Sequence, residues 1–213
     1  MCGRFTLTAS GEVVAECFGL AATPGIHPND NVAPTQSSPV VRLDQGTGER
    51  RLELLRWGLI PSWAKDPAIG SRMINARAET VATKPSFRSA LRHRRCLVVA
   101  DGFYEWQKVE GRKRKQPYHI RLNDGRPFAF AGLWERWERP DGDPLDSFTV
   151  ITTEPNELLR PVHDRMPVIL HAGDYAQWLD LHERTPDSLL SLLTAYPAGE
   201  MVVHAIPRVP DMR

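Results

Sequence analysis

Residues 96–109 read CLVVADGFYEWQKV, and this stretch indicates how the chain folds. Residues 96–101 are a short apolar run rich in β-branched side chains, and residues 103–109 mix aromatic and polar side chains. Both patterns are typical of β-strands. Further segments of this kind lie at residues 40–44, 50–60, 118–122, 128–137, 147–153 and 201–206.

Many short strands with few helices predict an α+β fold. We expect a single domain over residues 1–213, built on a curved or barrel-like sheet that is mixed but mostly antiparallel, with a few peripheral helices. Short helices are predicted at residues 10–17 (closed by Gly19), 86–94, 174–181 and 187–196. Irregular loops are predicted at residues 21–39 and 62–80, and a solvated hairpin tip is predicted at the basic block 111–116.

The composition is that of an ordinary soluble protein, with 41% hydrophobic and 25% charged residues. No apolar run approaches the ~20 residues that a membrane span needs, and the N-terminus lacks the apolar core of a signal peptide. The three cysteines, Cys2, Cys17 and Cys96, are odd in number and widely spaced, which argues against a disulfide framework. We therefore expect a cytoplasmic protein that makes no contact with a membrane.

Charge is unevenly distributed along the chain, although the net charge is only +1. Residues 42–126 contain 19 Lys and Arg against 9 Asp and Glu, whereas residues 127–213 contain 7 against 14. Most of the bases are arginine, whose planar guanidinium suits phosphate contacts and stacking on nucleobases. A basic middle segment favours a polyanionic partner; the open alternative is a basic face neutralised in the fold by the acidic last third.

Standard catalytic motifs are absent from the sequence. There is no phosphate-binding loop, dinucleotide fingerprint, nucleophile elbow or zinc-protease helix. The scattered cysteines form no Cys-x-x-Cys pair and the histidines show no ligand spacing, so we expect no metal site and no cofactor.

Four polar residues instead stand out in apolar or aromatic surroundings: Asn75, Glu105, His163 and Arg165. Because Glu105 lies among the aromatic residues of GFYEW, burial is expected to raise its pKa toward the range useful for proton transfer. Taken singly, Glu105 is more often an outward strand residue paired with an arginine, and His163 a satisfied histidine.

The first five residues, MCGRF, pose a separate question. Methionine is commonly removed when the next side chain is small, and removal here would give Cys2 a free α-amine beside its thiol. Such a 1,2-aminothiol offers two nucleophiles on one residue. The alternative is an accidental cysteine on a frayed terminus.

Six blocks of sequence connect these features. They are MCGRF at 1–5, RWGLIPSWAKD at 56–66, NARAET at 75–80, ADGFYEW at 100–106, AGLWE at 131–135 and HDRMPVIL at 163–170. In this order they resemble the SRAP (SOS-response-associated peptidase) family, whose members act on abasic sites in DNA. The resemblance runs from residue 2 to about residue 206. The sequence departs from the family pattern at Val99, where Pro is common, and in TTEPN at 152–156, where Ala usually precedes the Asn. Neither departure changes a side chain that would take part in the chemistry.

The resemblance implies that Cys2 crosslinks covalently to the aldehyde of an abasic site in single-stranded DNA or at a junction with duplex at a 3′ end. The neutral α-amine would form a Schiff base and the sulfur would close a thiazolidine, which shields the lesion. In this scheme Glu105 shuttles protons, His163 assists proton transfer and contacts a phosphate, and Asn75 orients the N-terminus or the sugar. The protein would associate with the nucleoid when bound to DNA, and we expect a monomer.

The resemblance also implies a set of DNA contacts. Arg4, Arg77 and Arg165 would bind backbone phosphates without reading sequence. The indole rings of Trp57, Trp63 and Trp106 would stack on or wedge between flanking bases, the alternative for each being a core aromatic.

Two other functions remain open from the sequence. Cys2, Asn75, Glu105 and His163 could form a thiol peptidase with Cys2 as nucleophile, including autoproteolytic processing of the N-terminus. A non-catalytic single-stranded DNA-binding module would explain the arginines and tryptophans but not MCGRF or the Asn, Glu and His residues.

Overall fold

The structure, a computed structural model, describes residues 2–111, 113–140, 142–182 and 185–210. Within these residues the strands are β1 (Phe5–Leu7), β2 (Asn29–Val32), β3 (Ser37–Leu43), β4 (Arg50–Trp57), β5 (Asn75–Arg77), β6 (Arg95–Ala100), β7 (Gly102–Gln107), β8 (Gln116–Leu122), β9 (Phe128–Trp137), β10 (Leu145–Thr153), β11 (Met166–Pro167), β12 (Ile169–Leu170) and β13 (Met201–Ala205). The α-helices are α1 (Gly11–Phe18), α2 (Arg88–His93), α3 (Tyr175–Leu179) and α4 (Pro186–Leu190), and short 3₁₀ turns occur at Pro67–Arg72, Ala172–Asp174 and Ala198–Glu200.

Five strands close into a small barrel in the order β10, β4, β3, β6, β9 and back to β10. The β10–β4 pair is parallel, with Ser147 opposite Arg56, and the other four pairs of the ring are antiparallel. Closure leaves these strands without a free edge, which removes a risk of aggregation. The predicted α+β fold with a barrel-like, mostly antiparallel sheet is confirmed, whereas the domain bounds 1–213 stay a prediction.

Alternate residues of the barrel strands face two hydrophobic clusters, as the period of two in a strand requires. The first cluster joins the barrel to a second sheet and includes Val40, Val98, Phe130, Phe5 and Phe103. The second cluster joins the barrel to the helices and includes Val41, Leu97, Ala131, Phe18 and Trp178. Burying both faces of the same strands fixes their register, because a slip by one residue would exchange the two clusters.

The second sheet has the order β13-β8-β7-β1-β2 and places the N-terminal strand between two neighbours. Phe5 pairs with Phe103 of β7 on one side and with Val32 of β2 on the other. Asp101 anchors the strand further, because it accepts hydrogen bonds from the Thr6 and Thr8 hydroxyls and from the Thr8 and Ala9 amides. Residues 2–9 are therefore an integral part of the fold, and the frayed-terminus alternative is wrong.

The two predicted loops contain more structure than the sequence indicates. Residues 21–39 include β2 and the start of β3, and residues 62–80 include a 3₁₀ turn and β5. Both short strands are held by backbone pairing with distant segments, a tertiary effect that local composition does not encode. The helix predicted at 187–196 ends at Leu190.

The other local predictions agree with the structure. Helix α1 begins after Ser10, whose hydroxyl accepts from the Val13 amide, and ends at Gly19 in the left-handed region with φ 62°. The predicted hairpin tip joins the paired strands β7 and β8, although Arg112 within it lies outside the described residues. Among the helices that the structure describes, none is long and apolar enough to cross a membrane.

Candidate functional site

Cys2 is fully buried and precedes β1, which pairs with β7. The Tyr104 amide donates to the Arg4 carbonyl, and continuing this register places Gly3 opposite Glu105 and Cys2 opposite Trp106. Burial raises the pKa of the Cys2 thiol strongly, and the nearby charge of Glu105 raises it further. The thiol is therefore protonated near neutral pH. Met1, whose removal the sequence predicts, lies outside the described residues.

Glu105 projects from the middle of β7 and is only 2% exposed. Burial disfavours the charged form and raises the pKa of this carboxyl to about 7. Near neutral pH the group is thus divided between an acid that can donate a proton and a base that can accept one. The sequence GFYEW predicts that burial raises the pKa of Glu105, and the structure agrees with this prediction.

Asn75 comes to the site on β5, which pairs in parallel with β10 through Asn75 and Val150. Its side-chain amide donates to the Cys2 carbonyl at 2.8 Å. The amide oxygen, Oδ1, is buried and has no hydrogen-bond partner among the described residues. An unsatisfied buried acceptor beside Cys2 is suited to an amine or a sugar hydroxyl.

His163 reaches the same place from the turn that follows β10. Its Nε2 lies 3.9 Å from Glu105 Oε2, which is longer than a hydrogen bond. Its Nδ1 lies 3.0 Å from the Arg165 backbone amide, which donates to it, and 2.8 Å from Asp164 Oδ1. Burial lowers the pKa of the imidazole. Four segments distant in sequence therefore bring Cys2, Asn75, Glu105 and His163 together; we call these four residues the reaction cluster.

The three predicted phosphate-binding arginines differ in their surroundings. Arg77 at the end of β5 is exposed. Arg4 is half-buried, and one of its guanidinium nitrogens donates a hydrogen bond to the Gly3 carbonyl at 2.9 Å. Arg165 is held by Glu79 in a two-pronged ion pair of 2.6 and 3.0 Å and also donates to the Thr152 carbonyl at 2.7 Å. Arg77 is the most accessible of the three.

The three tryptophans also differ. Trp57 is fully buried, its ring 5.0 Å from that of Phe5 and its Nε1 donating to the Ile74 carbonyl at 2.9 Å. The stacking role predicted for Trp57 does not fit this position, because the ring has no face open to a base; the core alternative fits. Trp63 is 59% exposed and Trp106 is half-buried beside the reaction cluster.

Sequence reasoning overlooked two acidic residues that touch this site. Glu79 follows Asn75 and Arg77 at a spacing of two in NARAET, so a continuing strand would have indicated a shared face. Asp164 lies between His163 and Arg165 in HDRMPVIL, one of the six blocks that resemble the SRAP family. Within the part of the chain that the structure describes, no three His, Cys, Asp or Glu side chains are grouped to hold a metal ion.

The barrel, the N-terminal strand inserted beside β7 and the reaction cluster are the features that this chain shares with one family of proteins. The chain belongs to the SOS response associated peptidase (SRAP) family, whose model matches residues 1–209. Among similar proteins, the abasic site processing protein YoqW of Bacillus subtilis (strain 168) is 46% identical over 209 residues, which cover 97% of this chain and 92% of YoqW. The abasic site processing protein HMCES of Mus musculus is 34% identical over 217 residues, covering 85% of this chain and 61% of HMCES.

Solved structures show the same fold. A protein from Bacteroides thetaiotaomicron superposes with a TM-score of 0.87 at 28% identity and covers 96% of this chain and 92% of that one. A protein from Bordetella bronchiseptica superposes with a TM-score of 0.83 at 29% identity and covers 97% of this chain and all of that one. The similarity thus extends over nearly all of the chain.

Proposed function

We propose that this protein processes abasic sites by forming a covalent crosslink between Cys2, after removal of Met1, and the ring-opened sugar in single-stranded DNA. The observation that carries the proposal is the hydrogen bond from Asn75 to the Cys2 carbonyl, which fixes Cys2 beside Glu105. The names of the similar proteins YoqW and HMCES, both abasic site processing proteins, support the choice of substrate.

The first step joins the α-amine to the aldehyde. The neutral amine nitrogen attacks C1′ and forms a carbinolamine, whose hydroxyl leaves as water when Glu105 donates a proton to it. The product is an iminium, and Glu105 is left as a carboxylate. With a pKa of about 7, Glu105 holds the required proton in a large fraction of molecules near neutral pH.

The second step closes the ring. The Cys2 sulfur attacks the iminium carbon, a carbon–sulfur bond forms, and the thiol proton passes to the Glu105 carboxylate. The net change is aldehyde plus aminothiol to thiazolidine plus water. Because the thiol is buried and protonated, a base at this position is needed, and Glu105 returns to its starting form.

The DNA would lie across the surface that carries Arg77 and Arg4. Both guanidinium groups are suited to backbone phosphates, which position a strand without reading its sequence. The rings of Trp63 and Trp106 would support flanking bases, since stacking on aromatics tolerates any base. A single strand fits the site better than duplex, because the sugar must reach the buried Cys2.

A thiol peptidase is less well supported by this geometry. Such an enzyme needs a thiolate, and its cysteine normally has a lowered pKa beside a histidine. Here burial raises the pKa of Cys2, and His163 contacts Asp164 and Glu105. The geometry therefore supports reaction of Cys2 with an aldehyde better than it supports peptide cleavage.

Intact mass spectrometry tests the proposal directly. The purified protein is mixed with a single-stranded oligonucleotide carrying one abasic site and measured under denaturing conditions. We expect a chain without Met1 and an adduct with the mass of protein plus DNA minus water. The Cys2→Ser variant keeps the amine but cannot form the thiazolidine, so its adduct should survive denaturation only after borohydride reduction.

The matched control is Cys17→Ser, which removes a cysteine from α1 and should crosslink like the unaltered protein. No adduct from a chain that lacks Met1 would reject the crosslinking proposal. Cleavage of a peptide substrate that is lost in Cys2→Ser would then favour the peptidase. DNA binding that is the same in all variants, with no adduct, would favour a plain binding module.

A further inference from the structure

His163 Nδ1 has two neighbours of opposite hydrogen-bonding character. The Arg165 backbone amide, at 3.0 Å, is a donor, and the Asp164 carboxylate, at 2.8 Å, is an acceptor. A neutral imidazole whose proton is on Nε2 can accept from the amide, and an imidazolium can donate from Nδ1 to the carboxylate. Each protonation state of the ring therefore has a ready partner at Nδ1.

We propose that Asp164 is a positioning residue that stabilises the imidazolium form of His163 and fixes the ring, with Nδ1 toward Asp164 and Nε2 toward Glu105, while the imidazole gains and loses a proton. This inference rests on the proposed function, in which His163 assists proton transfer beside Glu105. Because Nδ1 is engaged in both states, the ring need not flip, and the N–H of Nε2 stays directed toward Glu105 while the proton that distinguishes the two states is held at Nδ1.

Several other charges face the imidazole and oppose or assist Asp164. Glu105 on β7 lies 3.9 Å from Nε2, and its carboxylate would favour the imidazolium. Lys115, from the β7–β8 hairpin, and the positive charge of the chain's N-terminus both oppose it. The Arg165 guanidinium is neutralised by Glu79. Burial is the largest influence and lowers the pKa of His163, so Asp164 is a group that counters it.

The side chain of Asp164 is 87% exposed, which limits the strength of its effect. Exposed ion pairs in proteins are weak, and the energy they provide corresponds to a shift of about 0.2–0.7 pH units in a partner's pKa. A shift of that size is small, but nuclear magnetic resonance resolves it.

The test is a titration of the His163 ring in the free protein by ¹⁵N and ¹³C resonance shifts, with the signals assigned through His163→Gln. In Asp164→Asn we expect the pKa of His163 to fall by about 0.2–0.7 units. The neutral ring should carry its proton on Nε2 in both proteins. Asp143→Asn, which removes an exposed carboxylate from another hairpin, should leave the titration unchanged.

Crosslinking kinetics provide the second measurement. The His163-dependent limb of the pH–rate profile should move to lower pH in Asp164→Asn by the same amount as the resonance titration. Affinity for undamaged single-stranded DNA should not fall, since a negative charge has been removed. A His163 titration that is identical in the two proteins would overturn the inference, as would a loss of DNA affinity together with an unchanged pH profile.

The titration uses free protein, so it gives its answer whether or not any crosslink forms. Failure of the crosslink in the unaltered protein would reject the proposed function and leave the positioning result intact.

Discussion

Two groups of charged residues in this molecule, each arranged around a carboxyl group that is largely removed from solvent, are built in opposite ways. In the barrel, Arg42, Arg136, Asp146 and Glu53 form a group that we call the arginine cluster. Asp146 accepts from Arg42 at 3.0 Å and from two nitrogens of Arg136 at 2.8 and 3.0 Å, and Arg42 also contacts Glu53 and lies 4.0 Å from the ring centre of Trp134. In the reaction cluster, Glu105 lies 3.9 Å from a histidine whose pKa is itself lowered.

The two carboxyl groups respond accordingly. Burial alone would raise the pKa of Asp146, but hydrogen bonds from Arg136 and the charge of Arg42 outweigh it, so that the pKa is lowered. For Glu105 burial dominates and raises the pKa to about 7. Arginine neighbours keep a half-buried carboxylate charged and structural, whereas burial that outweighs the nearby charges leaves a carboxyl poised to exchange protons. The comparison predicts which cluster matters for chemistry and which for stability.

The largest effect should come from removing the acid–base function in the reaction cluster. In Glu105→Gln we expect the single-turnover crosslinking rate to fall about 10²- to 10⁴-fold, the range for loss of a positioned general acid or base. The rate is measured with an abasic oligonucleotide between pH 5 and 9. Affinity for an undamaged oligonucleotide should stay within twofold. A rate close to that of the unaltered protein would show that Glu105 transfers no proton in the slow step.

The same substitution should change stability in a pH-dependent way. Because the pKa of Glu105 rises from 4.5 to about 7 on folding, the native state holds a proton that the unfolded state releases, and stability decreases as pH rises through this window. Glutamine does not titrate. Relative to the unaltered protein, Glu105→Gln should therefore gain about 3 kcal/mol in unfolding free energy between pH 4 and 8. Urea denaturation across this range measures the difference, and a constant difference would contradict the assigned environment.

Much of the fold could be predicted from the sequence because its signals are local. The apolar runs of β6 and β9 and the Ser10 and Gly19 caps of α1 each depend on a few adjacent residues. β2 and β5 escaped prediction because their partners are remote strands. Closure of the barrel through β10 and β4 is likewise a long-range parallel pairing, which no short pattern specifies.

The site was predictable as a set of residues but not as a geometry. Cys2, Asn75, Glu105 and His163 stood out through surroundings and resemblance, yet their convergence depends on β1 being inserted beside β7. The stacking role predicted for Trp57 is wrong because the sequence around an aromatic residue at the end of a strand does not show whether its ring faces a base or the core. Asp164 and Glu79 were missed because charged residues in exposed turns resemble ordinary surface, and only the distances to His163 and Arg165 distinguish them.

The smallest effect should come from the arginine cluster, where a change alters stability without altering chemistry. Asp146→Asn keeps the shape but removes the negative charge between Arg42 and Arg136, so we expect a loss of about 1–3 kcal/mol in unfolding free energy at pH 7. Folding lowers the pKa of Asp146, so its carboxylate contributes to the unfolding free energy at pH values above 3.8, its ordinary pKa. This contribution disappears as the pH falls below that value. The two proteins should therefore become equally stable in strong acid. The crosslinking rate at saturating DNA should be unchanged. Arg42 lies on β3 and Arg136 on β9, two barrel strands that contribute no residue to the reaction cluster. A rate that fell with stability would mean that the two clusters are coupled through β10, which also pairs with Asn75, and the division between structural and reactive carboxylates would fail.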